Sequence, residues 1–334
     1  MKAAYPLSTD FCIAYEDLDV FAAGLDRPEC VLAFEDGTLV ASYGKGGYSQ
    51  ISHAGVVSHV PIQNAGTRQY VPNGVTVTRE GRVLFADLGF EHGGIHQVSN
   101  TGVVSPVVTE LDGSPLPPSN YVTVEDDGAI WFTVSTQERP RNMAWNHVVT
   151  DGYIAVQDER GCRVVADRLG YTNEIAFSPD KQWVYVNETY AQRVSRFRLL
   201  SGRSLGPRET VAQLSGADLP DGLVFDAFGG VWVSCIASNR LLLIRPDGQI
   251  QVILEDSDPA HVRRVADGIA TSTLSFEAMQ TAGRSRLGNI SSLAFGGHQM
   301  RTAFLGCLLD DKIRRFDVPI EGAKPLHFNR CPMS

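Results

Sequence analysis

The sequence predicts an all-β chain folded as a six-bladed β-propeller with four-stranded blades. Three observations predict it. Six segments repeat one layout in fixed register, the strands count four to a repeat, and a leftover N-terminal strand is available to complete the last repeat. Self-similarity at a fixed period is the mark of an architecture built from stacked or radially arranged units.

The six segments are 29–37, 73–81, 120–128, 173–181, 221–229 and 289–297. Each opens on a polar leader: Glu29, Asn73, Asn120, Asn173, Asp221 and Asn289. An apolar, alternating run follows, and a turn pair falls seven and eight positions after the leader every time. Five of the six pairs place glycine second (Gly37, Gly81, Gly128, Gly229, Gly297), and only Lys181 departs. Glycine there supplies the positive φ of a tight hairpin turn. The runs after the turns, 38–43, 82–87, 129–134, 182–187, 230–235 and 301–307, are rich in Val, Trp, Tyr and Phe, as strands are.

Third strands read at 94–100, 152–157, 193–199, 240–245 and 312–318, and turns around Gly102, Gly161 and Gly248 lead on to fourth strands. Successive leaders stand 44, 47, 53 and 48 residues apart, and the fifth interval is 68. Its surplus lies in 255–288, read as a partly helical insertion over one face. Segment 12–24 resembles the fourth strands that precede the other leaders, so it is expected to pair with the last blade and remove a free edge. Residues 1–334 are read as one domain.

Composition narrows the class. With 29 basic and 38 acidic residues the formal charge is −9, and no basic stripe suggests a nucleic-acid partner. Apolar runs are strand-sized, so no membrane span is expected. The first ten residues lack the basic and apolar regions of a secretory leader. Six scattered cysteines, without a CxxC pair, read as reduced small hydrophobes in a cytoplasmic protein.

Fixed register puts the six leaders at equivalent positions on the strands nearest the axis. Two carboxylates and four amides converging there make an oxygen-rich cage of the kind hard divalent cations take. Taken singly, an Asn at such a place caps a turn more often than it binds a ligand. Taken together, two buried acids facing one another repel unless a cation or a proton lies between them. Ca²⁺ fits this donor set best, with Mg²⁺, Mn²⁺ or Zn²⁺ as other ions for the same place.

Particular stretches carry a family resemblance. They are Leu219-Pro220-Asp221-Gly222-Leu223 with Gly230-Val231-Trp232-Val233, Tyr171-Thr172-Asn173 with Phe177-Ser178-Pro179-Asp180, and Ser292-Leu293-Ala294-Phe295-Gly296-Gly297. In these the chain resembles the gluconolactonase and senescence-marker-protein (regucalcin-like) lactonases, and more faintly the calcium propeller phosphotriesterases. The resemblance implies a metal held by Glu29, Asn173 and Asp221, with Asn120 touching metal or substrate. It also implies that Asp221 accepts a proton from water. Glu91-His92 is similar to a Glu-His pair of the bacterial gluconolactonases. Pro118 stands where sugar-binding members often carry an arginine, and the 134–146 stretch, with Arg139, Arg141, Met143 and Trp145, follows another pattern. Those departures point to a less polar lactone or cyclic ester.

The expected function is therefore metal-dependent hydrolysis of a small-molecule lactone. Asp221, Asn120 and His92 are the catalytic candidates. Asn73, Asn120, Asn289, Arg141 and Trp145 are expected to contact substrate. His53, Glu174 and His147 are further bases, with Glu174 expected on the opposite strand face from Asn173. No Gly-x-Ser-x-Gly elbow occurs, which excludes that serine hydrolase arrangement. The competing readings are a phosphotriesterase-like hydrolase and a non-catalytic propeller that binds a small molecule or a protein.

Overall fold

The computed structural model describes residues 4–63 and 68–332; the first three residues of the stretch read for a leader lie outside them. Among the described residues, six four-stranded antiparallel sheets form a six-bladed β-propeller. The innermost strands are Val31–Ala33, Pro72–Val77, Ser119–Val124, Thr172–Phe177, Asp218–Phe225 and Ile290–Gly296. Each touches the next around the axis, and the last touches the first. The N-terminal strand Asp19–Ala23 pairs antiparallel with Lys312–Asp317 and completes the sixth blade. The first and last strands therefore share one sheet, and the N-terminal strand covers the edge that Lys312–Asp317 would otherwise expose.

Turn chemistry follows the predicted register. Gly37, Gly81, Gly128 and Gly229 all take positive φ, and so does Lys181, at 54°. The lysine is tolerated because Ser178 and Asp180 bind the neighbouring backbone: Trp183 N donates to Ser178 Oγ (3.0 Å) and Gln182 N to Asp180 Oδ1 (3.1 Å). The sixth connection is wider. Beyond Gly297 the chain makes a 3₁₀ turn, His298–Met300, before the strand Thr302–Cys307.

Apolar layers between blades supply the core. Trp131 and Trp232 are fully buried, and each indole N–H donates to an acid at the foot of its own hairpin, Glu125 Oε1 (2.7 Å) and Asp226 Oδ2 (2.9 Å). Burying an indole leaves a donor to satisfy, and these acids do it while fixing the turn. The 255–288 segment is helical in part, as expected: α1 is Pro259–Ala270 and α2 is Phe276–Met279. Asp258 caps α1, accepting from Ala260 N (2.9 Å), with Pro259 at the first helical position. Val265, Ile269 and Met279 of these helices pack with Trp145, Tyr171 and Tyr190, at the end of the propeller where the leaders lie.

Candidate functional site

Each innermost strand after the first carries a β-bulge at or beside its leader. The pairing register slips between Pro72 and Val75, Ser119 and Tyr121, Thr172 and Ile175, Pro220 and Leu223, and Ile290 and Ser292. A bulge breaks the ladder, frees backbone groups and re-aims side chains. Polar residues on the second strand bind the inner-strand backbone, in the first blade as well, where the register does not slip. Ser42 Oγ accepts from Glu29 N and Cys30 N, both at 3.1 Å; Thr133 Oγ1 accepts from Tyr121 N (3.1 Å), and Ser234 Oγ from Gly222 N (2.9 Å). Asn187 Nδ2 donates to Asp221 O (2.9 Å) and Gly222 O (3.1 Å). With the backbone satisfied this way, the leader side chains are left to face the axis.

Glu29, Asn73, Asn120, Asn173 and Asp221 are all buried, none more than 4% exposed. Asn73 bridges blades: its Nδ2 donates to Glu29 Oε1 (2.7 Å) and Asn120 O (3.0 Å), and its Oδ1 accepts from Arg27 Nη2 (2.8 Å). Asn173 Nδ2 donates to Thr189 Oγ1 (3.0 Å) and to Asp221 Oδ1. Three buried oxygens of this ring have no hydrogen-bond partner: Glu29 Oε2, Asn120 Oδ1 and Asn173 Oδ1. Unpartnered buried acceptors are costly. Three of them beside one carboxylate are an all-oxygen donor set that suits a hard cation. Among the described residues no group of three His, Cys, Asp or Glu side chains is arranged to hold a metal, so any cation here depends on the amides as well as the two acids.

Electrostatics agree with that chemistry. Burial pushes the Glu29 carboxyl up to about 7, against the opposing pull of Arg27, the Asn73 hydrogen bond and Arg141. Burial first, then the Glu29 charge, holds Asp221 well above the ordinary carboxylate range, with Arg27, Asn173 and Arg141 opposing. Glu174 is also raised, by burial and then by Glu29. Glu174 lines a cavity of about 120 Å³ with Cys30, Tyr121, Leu293, Phe225 and His327, a cavity that Asn173 does not line. Its Oε2 accepts from Leu223 N at 3.0 Å.

The other candidates fall in different places. Asn289 is fully buried at φ 59°, and its Oδ1 accepts from Ala237 N (3.2 Å) and Asn239 Nδ2 (3.3 Å), which ties the fifth blade to the sixth. Trp145 is buried; its indole N–H donates to Tyr171 OH (3.1 Å), and its ring stacks on Tyr190 and Phe276, both at 5.8 Å. Arg141 opens a 3₁₀ turn, Arg141–Ala144, and is half-buried within electrostatic reach of Glu29 and Asp221. His92 is exposed in the loop between Val83–Asp87 and Gly94–Val98, and His53 and His147 are surface residues as well. Arg27 escaped the sequence reading. It precedes the first leader by two positions, takes a left-handed φ of 47°, and its carbonyl accepts from Glu29 N (2.7 Å). Its one sequence signal was a basic residue beside an acidic leader.

A propeller whose bulged inner strands aim acids and amides at one end of the axis defines a class of small-molecule site. The family model of the SMP-30/Gluconolactonase/LRE-like region matches residues 48–255, and the chain belongs to that family. A 6-deoxy-6-sulfogluconolactonase of Pseudomonas putida is 30% identical over 99 residues, 29% of this chain and 34% of that protein. The match thus spans about a third of that curated relative's length. Among solved structures, a gluconolactonase from Xanthomonas campestris superposes with a TM-score of 0.66 at 20% identity, covering 90% of this chain and 89% of its own. A calcium-binding regucalcin from Agrobacterium tumefaciens gives 0.66 at 16% identity, covering 98% and 100%. At these identities the two structures share the fold.

No helix among the described residues is long and apolar enough to cross a membrane. All six cysteines are unpaired.

Proposed function

We propose that the protein hydrolyses a lactone at the leader end of the axis, with one divalent cation, Ca²⁺ first among candidates, held by Glu29, Asn120, Asn173 and Asp221. The observation that carries this reading is the trio of buried, unpartnered oxygens (Glu29 Oε2, Asn120 Oδ1, Asn173 Oδ1) set beside the Asp221 carboxylate. Membership of the gluconolactonase-like family supports the reaction class, as do the lactonase names of the relatives.

A cation bound there supplies Lewis-acid polarisation of an ester carbonyl and charge to balance the oxyanion. The chain's own side chains do the rest. Asp221 accepts a proton from the attacking water and passes it to the ring oxygen as the acyl C–O bond breaks, so the product is the open hydroxy acid. The Asn120 amide orients the substrate from the third blade. Asn73 steadies Glu29 and Arg27 through hydrogen bonds of 2.7 and 2.8 Å. His92, on the exposed loop after the second blade's hairpin, is the further catalytic candidate.

Acid release from sugar lactones, aliphatic lactones and a phosphotriester tests the reading, measured beside metal content for wild type, Glu29→Ala and Asp221→Ala. Lactone turnover lost by at least a hundredfold in both variants, together with the bound metal, is the expected result. Turnover unchanged in both, or turnover of the phosphotriester alone, overturns it.

A further inference from the structure

The cavity of about 120 Å³ that Glu174 lines is separate from the leader ring, since none of the six leaders lines it. It begins one residue past the leaders, at Cys30, Tyr121 and Glu174, and runs to the turn end, at Ser178 and Lys181. Its walls come from the innermost strands of the first, third, fourth, fifth and sixth blades. Across the turn end passes the C-terminal segment, 320–332, which is bound to several blades. Ala323 N donates to Phe225 O (2.9 Å), and Glu35 N donates to Phe328 O (3.0 Å). Arg330, only 7% exposed, anchors it: Nη1 donates to Val77 O (2.8 Å), and Nη2 to Val124 O and Asp126 Oδ1, both at 2.9 Å. Held by the first, second, third and fifth blades, the segment places His327 in the cavity wall.

Val31, Leu223, Phe225 and Leu293 make much of that wall apolar. Cavities on this scale take up a single benzene-sized ring. Two polar groups interrupt the apolar surface. Glu174, 5% exposed, makes one hydrogen bond among the described residues, accepting from Leu223 N (3.0 Å), and a carboxyl has capacity for more. His327 Nε2 is buried and has no hydrogen-bond partner among the described residues. The imidazole is neutral: burial, then the Arg330 charge, bring it down to about 3 against a contact with the Ala33 backbone. A buried polar atom without a partner is costly, so a molecule that enters here gains by meeting Nε2. A hydroxyl does so in either neutral tautomer, because it both donates and accepts. A charged group does not, since it would lose its hydration against apolar walls without an opposite charge on the imidazole.

We propose that this cavity is a second ligand site, for an uncharged, ring-sized molecule that carries a hydroxyl group. The class is a phenol or an alicyclic alcohol, its hydroxyl on His327 Nε2 and its ring among Val31, Phe225 and Leu293. The site shares no leader with the lactonase reading and stands or falls without it.

The test titrates the full chain, labelled at its Val, Leu and Ile methyls, with phenol, cyclohexanol, benzene and benzoate, and follows binding by NMR. Phenol and cyclohexanol are expected to shift the methyls of Val31, Leu223 and Leu293 and to saturate. Benzene should move the same methyls with about tenfold weaker affinity, the difference one hydrogen bond makes, and benzoate should leave them in place. His327→Phe removes the polar partner and keeps a ring: phenol affinity is expected to fall about tenfold, to that of benzene, while benzene binding holds and shows the cavity intact. His327→Gln restores a polar side chain and should recover part of the preference. Four results overturn the proposal. They are no shift at the cavity methyls with any of the compounds, shifts confined to residues outside the cavity, equal affinity for phenol and benzene in wild type, and a His327→Phe variant that keeps the full preference for phenol.

Discussion

Glu29→Gln has an effect on stability whose sign depends on whether calcium is present. Without a cation, the folded protein holds the Glu29 carboxyl at about 7 against an ordinary 4.5. A carboxyl raised by folding stabilises the native state fully below 4.5, and that contribution is lost as pH rises from 4.5 through about 7. Across that interval the loss amounts to ~3 kcal/mol at most, at ~1.4 kcal/mol per pH unit. Gln keeps the shape and the oxygen that accepts from Asn73 Nδ2, so the variant removes the charge and little else. At pH 8 in chelator it is expected to melt above wild type by up to ~4 °C, taking an unfolding entropy of about 2.1 cal/mol/K per residue. With calcium at about a thousand times its dissociation constant, wild type gains ~4.1 kcal/mol, ~6 °C, and the variant gains little. The two melting curves cross. Calorimetry or dye-monitored melting at pH 5 and pH 8, with EDTA and with calcium, reads all four corners. If Glu29→Gln melts lower than wild type in EDTA at pH 8, and calcium shifts both proteins alike, the ring does not hold opposed charges about a cation.

Three further outcomes test the fold and the site's support. Arg193→Met strands Glu188, a fully buried carboxylate bound by Arg193 Nε (2.8 Å) and Nη2 (2.6 Å), and should cost ~3 kcal/mol in denaturant unfolding. Because Glu188 is held below its ordinary value, with burial opposed by Arg193, Ser195 and Gly170, the wild-type contribution is present above pH 4.5 and is lost as pH falls; the variant should lack that acid limb. Gly222→Ala puts a methyl 2.5 Å from Ser291 O and 2.8 Å from Ser234 Oγ, so it should cost ~2 kcal/mol or more and blunt the calcium shift by displacing Asp221. Deleting residues through Ala23 uncovers the strand Lys312–Asp317; size-exclusion and limited proteolysis should show self-association or early cleavage of the sixth blade, and an unchanged monomer would contradict closure by the N-terminal strand.

Much of the fold was legible because a propeller writes its register into the chain. A leader, an alternating run and a glycine turn recur at set intervals, and even Lys181 obeys the φ that the turn imposes. The site was legible only to the level of which residues reach the axis. Bulges at the leaders are invisible in an alternating pattern, as is the cavity that Glu174 lines apart from Asn173. The second-strand residues Ser42, Thr133, Asn187 and Ser234 close most of the runs already recognised as strands, yet nothing in one sequence says that they satisfy bulged backbone. Trp145 read as a pocket residue because it lies in the 134–146 stretch that departs from the family's pattern; its partners come from three distant segments, at Tyr171, Tyr190 and Phe276.

The six leaders look equivalent in sequence, and their hydrogen bonds separate them. Asn73 and Asn289 spend their amides on neighbouring blades: Asn73 on Glu29, Asn120 and Arg27, and Asn289 on Ala237 and Asn239. They are struts. Glu29, Asn120 and Asn173 each keep one oxygen unclaimed in a buried place, and Asp221 stands beside them. The difference lies in what meets each leader: a guanidinium or a neighbouring amide in one case, and one oxygen without a hydrogen-bond partner in the other. If that distinction governs function, Asn289→Ala should lower the melting temperature with calcium response intact, whereas Asn173→Ala should erase the calcium response. The reverse pattern would show that the sixth blade, rather than the fourth, supplies the working oxygen.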